Sequence, residues 1–217
     1  MAQLSENTSS RNFTAFLWHA IFLALTTSFM DVDTIIPAML VKAGGGSFLL
    51  GLLTAIMLGG SSLMQLVFAG FLSGKVFKKR YLLTGIYLRT FALGSLAILF
   101  FVSDGLDPAL VIFLIFIFIA VFSFSGAFAN VSYVDIFGKS IIHHKRKKFF
   151  TLQQTFNSIG LLASALVVRE ILKFYDYPPN YSILFLMAAL LLSIASGGFW
   201  RIKEMPSLRK PGIGFLQ

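Results

Sequence analysis

Apolar residues in this chain come in long runs, cut by short polar stretches, with no strand-like alternation. Six runs are long enough to cross a membrane: about Phe13–Val41, Phe48–Ser73, Tyr81–Val102, Ala109–Phe137, Phe150–Leu172 and Tyr181–Trp200. We number them spans 1 to 6. Roughly 20 residues rising 1.5 Å each cross the hydrocarbon core. Lipid offers no partner to backbone N–H and C=O groups, so each run is expected to be a helix that closes its own hydrogen bonds. The expected fold class is therefore an all-α membrane protein, with a six-helix transmembrane bundle over residues 13–201. Residues 1–12 are expected as an N-terminal segment, and 202–217 as a tail or the start of an interdomain linker. The polar lead "SENTSSRN" and the tail "MPSLRKPGIGFLQ" are expected to be flexible. The first run is too long for a signal-peptide core and lacks a basic lead-in with a small-residue cleavage site, so it is read as a retained span.

Composition sharpens this. Only 12% of the 217 residues are charged and 57% are hydrophobic, against roughly a quarter charged in soluble domains. Such a chain cannot cover a water-facing surface. Cysteine is absent, which excludes disulfides and thiolate metal sites. The net charge of +9 would suit nucleic acid, but basic stretches flanking spans are read as topology signals, and no nucleic-acid partner is expected. The adjacent histidines of "HHKRKK" diverge on a helix and make a poor metal pair. The run Gly44–Gly46 has no Lys-Ser/Thr after it and reads as a turn. No Ser-His-Asp set appears. No enzyme activity, cofactor or metal is expected.

The cations divide by side. If the spans alternate, Arg11, Lys75, Lys78, Lys79, Arg80, Lys139, Lys145, Arg146, Lys147, Lys148, Arg201, Lys203, Arg209 and Lys210 share one side. The other side holds Lys42, Arg169 and Lys173 beside Asp31, Asp33, Asp104, Asp107, Glu170 and Asp176. The positive-inside rule then places both termini in the cytoplasm. A bacterial inner membrane is the expected location, and the bilayer itself the first partner.

The connector "GFLSGKVFKKR", Gly70 to Arg80, resembles the helix 2–3 connector of the major facilitator superfamily. Gly70, Leu72, Lys75 and the cluster Lys78 to Arg80 match its pattern; Gly74 stands where the pattern has Asp, and Phe77 where it has Gly. The stretch "SGAFANVSYVDIFGKSIIHHKRKKFFTLQQTFNSIG" resembles that superfamily's helix 4–5 hairpin, with a basic loop between helices. "DTIIPAML" is similar to an acidic residue before a Pro near the outer end of helix 1 in several of its antiporters. The resemblance covers almost the whole chain and half of a family member. It implies two inverted three-helix repeats, a missing second six-helix half or self-association, and alternating access around a midplane site. The function it implies is secondary active transport of a small solute, coupled to a proton or another ion. The rival expectation is a six-span protein without transport activity, structural, regulatory or a truncated relic.

Ionisable and amide residues inside spans are the candidate pathway groups, because charge in lipid costs several kcal/mol. Arg89 falls roughly 13 Å into span 3. It is read as a contact for a substrate anion or a gate, against snorkelling or a pair with Asp135. His19 is read as a packed or hydrogen-bonded histidine. Asp31 and Asp33 point about 200° apart on a continuous helix. Asp33, with its spacing to Pro37, is the candidate proton carrier, and Asp31 is expected to latch onto Arg169, since the resemblance implies that spans 1 and 5 are neighbours; the alternative is that both aspartates sit at the outer interface in contact with water. Asn130, Gln153, Gln154 and Asn157 suit either a polar cavity lining or interhelical hydrogen bonds. At the cytoplasmic end, Gly74 lacks the charge that the family pattern uses to hold the gate, so Asp135 is expected to replace it opposite Lys78, Arg80 or Arg89. Gly51, Ala55 and Gly59 on span 2, and Gly160, Ala163 and Ser164 on span 5, form small faces suited to helix contacts, either between halves or within the bundle.

Overall fold

The computed structural model describes residues 5–207. These residues are helical nearly throughout and contain no strand. Span 1 runs Glu6–Lys42, span 2 Ser47–Ser73, span 3 Lys79–Gly105, span 4 Pro108–Ser140, span 5 His143–Phe174 and span 6 Pro179–Trp200. Their length and apolar composition mark an integral membrane protein.

The spans begin and end where local chemistry dictates. Span 1 starts at Glu6, because the Ser5 side chain accepts the Thr8 N–H as an N-cap. The polar lead is thus helical, not flexible. Asn12 within it is fully buried. Its amide donates to the Lys203 carbonyl at 3.0 Å and accepts the Lys203 N–H at 3.0 Å. Span 5 gains two turns over the expectation, because "HHKRKK" is its first part. The connector before it is only Ile141–Ile142, so the expected basic loop is mostly helix.

Span 1 is not continuous. Its first helix ends at Thr27, a 3₁₀ turn covers Ser28–Met30, and a second helix runs Ile35–Lys42. Asp31 makes the break: its Oδ1 accepts the Asp33 N–H at 3.1 Å and the Thr34 hydroxyl at 2.7 Å. This short-range bonding competes with helix. Pro37 lies in the first turn of the second helix, where a missing N–H costs little. Span 2 carries a π-helical turn at Ala55–Gly60. Ser123 of span 4 donates to the Met57 carbonyl in that turn at 3.2 Å.

Laterally the helices follow the order 5, 1, 6, 3, 4, 2: span 3 packs between spans 4 and 6, span 6 against span 1, span 5 on span 1 and span 2 on span 4. Phe16 ties the basic end together, edge-on to Tyr133, Phe137, Phe149 and Phe199 from spans 4, 5 and 6. Phe100, Tyr177, Tyr181 and Phe185 form a second aromatic cluster at the opposite end. Small residues set the close approaches. A Cβ on Gly85 would stand 2.9 Å from the Ala129 Cβ, and one on Gly160 would stand 2.8 Å from the Ala24 Cβ. Ser164 is buried and donates to the Ser28 hydroxyl at 2.8 Å. The Gly160–Ser164 face of span 5 therefore packs inside the bundle. Gly51 and Gly59 on span 2 have nothing within 4 Å of a built Cβ, so that face is open.

The basic connector is tied to the segment after span 6. Glu204 accepts the N–H groups of Lys78 and Lys79 at 2.6 and 2.8 Å, capping span 3 with negative charge at its N-terminus. Lys79 Nζ in turn donates to the carbonyls of Trp200 and Ile202 at 2.7 and 2.9 Å. The Ser207 N–H reaches the Val76 carbonyl at 2.9 Å. Residues 205–207 of the tail are thereby held in place; 208–217 lie outside the described residues.

Candidate functional site

A cleft between the spans brings polar side chains from five of them together. One cavity of about 210 Å³ is lined by His19 of span 1, Arg89 of span 3, Asn130 and Tyr133 of span 4 and Gln153 of span 5, among apolar neighbours. A second, of about 290 Å³, is lined by Ser61 and Gln65 of span 2 and by Phe122, Ser123 and Asn130 of span 4. Arg89, Gly126 and Asn130 border both cavities. The guanidinium thus stands at their junction.

The packing explains its position. A Cβ on Gly126 would come 3.3 Å from Arg89 Nε, so glycine there leaves room for the side chain. The guanidinium carbon lies 4.4 Å from the centroid of the Phe122 ring, one turn earlier on span 4, a cation–π contact. Arg89 Nε is buried and has no hydrogen-bond partner among the described residues. His19 is buried, with its ring tilted 37° against that of Phe199 and the centroids 4.2 Å apart. Its Nδ1 lies 3.2 Å from the Ala195 carbonyl. A carbonyl only accepts, so Nδ1 carries the proton of that bond. The expected packed histidine is there, and it also borders the cavity.

Asn130 and Gln153 line the cleft. Asn157 follows Gln153 by one turn on the same face and is exposed. Gln154 is also exposed. Among the described residues, none of these four amides makes an interhelical hydrogen bond. Asp33 is exposed at the break in span 1, while Asp31 is spent on capping that break. The aspartates therefore occupy a turn rather than opposite faces of one helix. The expected latch is absent: the ion-pair partner of Arg169 is Glu170, at 3.9 Å.

At the basic end, Asp135 meets Lys78 at 3.0 Å and also Lys139. The replacement partner expected for Gly74 is thus in place, with Lys78. It does not pair with Arg89, which corrects that alternative. Arg80 is exposed and has no ion pair among the described residues. Gly74 ends span 2 with open space around a built Cβ. Gly70 accepts a hydrogen bond from the Ser73 hydroxyl through its carbonyl at 2.7 Å.

Tyr133, Gln65, Phe122 and Glu204 also belong to these sites, although no expectation from the sequence named them. Tyr133 was findable: it follows Asn130 by three residues and shares its face. Gln65 is the only side-chain amide in span 2. Phe122 and Glu204 act through tertiary neighbours that no local pattern announces. Comparisons of the chain with family models, with curated proteins and with solved structures give no match.

Proposed function

We propose that this chain is one half of a secondary transporter that moves a small solute by alternating access, resembling the amino-terminal half of a major facilitator. The observation that carries this reading is the cleft. Polar groups from spans 1 to 5 converge between helices whose other surfaces are apolar, and one guanidinium stands at its junction.

The order of neighbours supports two inverted repeats. Exchanging spans 1 and 4, 2 and 5, and 3 and 6 leaves the five most extensive helix pairings unchanged. Spans three apart run in opposite directions, as inverted repeats require. Spans 2 and 5 then sit at the flanks, where a second bundle would close the cleft. That bundle is a second copy of this chain or another six-helix half. The basic end faces the cytoplasm, and the Lys78–Asp135 pair helps to hold the inner side closed. Coupling is assigned to a proton or another ion, with Asp33 as its carboxylate, since no described cation pairs with it.

Cysteine accessibility tests the reading, and the chain has no cysteine of its own. In membrane vesicles, Gln153→Cys and Asn157→Cys should react with a charged thiol reagent, while Ile98→Cys on the outer face of span 3 should not. Silence at both cleft positions would remove the aqueous pathway and favour a non-transporting six-span protein.

A further inference from the structure

We propose that Arg89 is the recognition group for a small anionic solute bearing a carboxylate or phosphate. The inference rests on reading the cleft as a solute pathway and names the class of solute.

Arg89 is about ten residues into span 3, so its Cα lies about 15 Å from the start of that helix. A charge at such depth is costly unless something compensates it. The chain supplies no countercharge among its described residues. All nine Asp and Glu residues fall within 5–207, and none forms an ion pair with Arg89. Asp135, the one acidic residue on span 4, is occupied by Lys78 and Lys139.

The site nevertheless holds the guanidinium in a fixed place. Gly126 makes room for its stem and Phe122 takes one face of its plane. No acidic side chain borders either cavity, and the hydrogen-bonding groups that share them with Arg89 include Asn130, Tyr133, Gln153, Gln65 and His19. A cationic solute would meet repulsion here. An uncharged one would leave the guanidinium unpaired when the second half closes. A carboxylate or phosphate brings the missing charge with it and matches the planar donor fork. Asn130 borders both cavities and is placed to donate a further hydrogen bond to the same anion.

Thermal unfolding of the purified full chain in detergent tests this with succinate, benzoate and inorganic phosphate at millimolar concentration. Sodium chloride at equal ionic strength is the reference and tetraethylammonium chloride the cationic control. At least one anion should raise Tm by about 3 °C, and tetraethylammonium should not. A shift with succinate or benzoate alone identifies a carboxylate solute; a shift with phosphate alone identifies a phosphorylated one. Arg89→Gln and Arg89→Met should abolish the shift, whereas Lys148→Gln at the basic end should keep it. Without anion, both Arg89 variants should melt at or above the parent, because an uncompensated charge has been removed. No shift with any of the three anions overturns the proposal, as does a shift that survives in both Arg89 variants. Failure of both variants to fold also overturns it, because the charge would then be satisfied within the bundle. The wider transport reading fails separately. An Arg89-dependent shift without cysteine access to the cleft leaves an anion site and no pathway; access without the shift leaves a pathway for another class of solute.

Discussion

Lys78 carries its charge at the basic end with only 7% of its surface exposed, and Asp135 supplies the countercharge. Breaking the pair from one side strands the ammonium. Asp135→Asn should therefore lower stability by about 1–3 kcal/mol. Lys78→Met removes the stranded charge as well, so the double variant should recover much of the loss. Denaturation of the four species in detergent measures this, and simple additivity would mean the pair contributes nothing. Asp31 calls for the opposite pattern. It caps the break in span 1 and has no contact with Arg169, so Asp31→Ala should cost about 1 kcal/mol. Arg169→Gln, at an exposed position, should cost little, and the two effects should add. Coupling between them would restore the latch that the similar heights of Asp31 and Arg169 and the family resemblance suggested.

At the scale of elements, the runs of apolar residues placed all six spans, and most boundaries fell within a turn or so of the observed ones. Three features were beyond that pattern. The break in span 1 depends on one side-chain oxygen competing for backbone donors. The π-helical turn in span 2 is supported by Ser123, more than sixty residues away in sequence. The order of helices depends on which small residues face which neighbours. The two small faces separate on that last point. Gly160→Ala should push spans 1 and 5 apart and cost about 1–3 kcal/mol, since its Cβ would sit 2.8 Å from that of Ala24. Gly59→Ala should leave the bundle's stability nearly unchanged, its surroundings being open. Paired melting curves decide between them, and equal losses would mean the span 2 face is packed too. The cleft was half legible for a related reason. Isolated polar residues in apolar runs marked Arg89, Asn130, Gln153 and Asn157, but only the fold shows that Asp135 is taken and that Arg89 has no acidic partner among the described residues.

For the molecule as a whole, orientation is the first thing to measure. Lys147 at the basic end and Asp104 at the other are both exposed, so each can be replaced by Cys without disturbing the core. In intact cells an impermeant thiol reagent should label Asp104→Cys and spare Lys147→Cys; the reverse result would invert the chain. The helix order also bears on how the protein is made. Spans 1 and 2 leave the ribosome first, yet they meet each other only around the turn that joins them. Span 1 finds its main neighbours in spans 5 and 6, and span 2 in span 4. Neither early helix can bury its inner face until the later ones are synthesised. The nascent chain must wait with those faces in lipid or shielded by the insertion machinery, and it closes as a unit only when span 6 arrives. A chain ended after span 3 should therefore insert but remain protease-sensitive, and full protection should appear only once span 6 has been made.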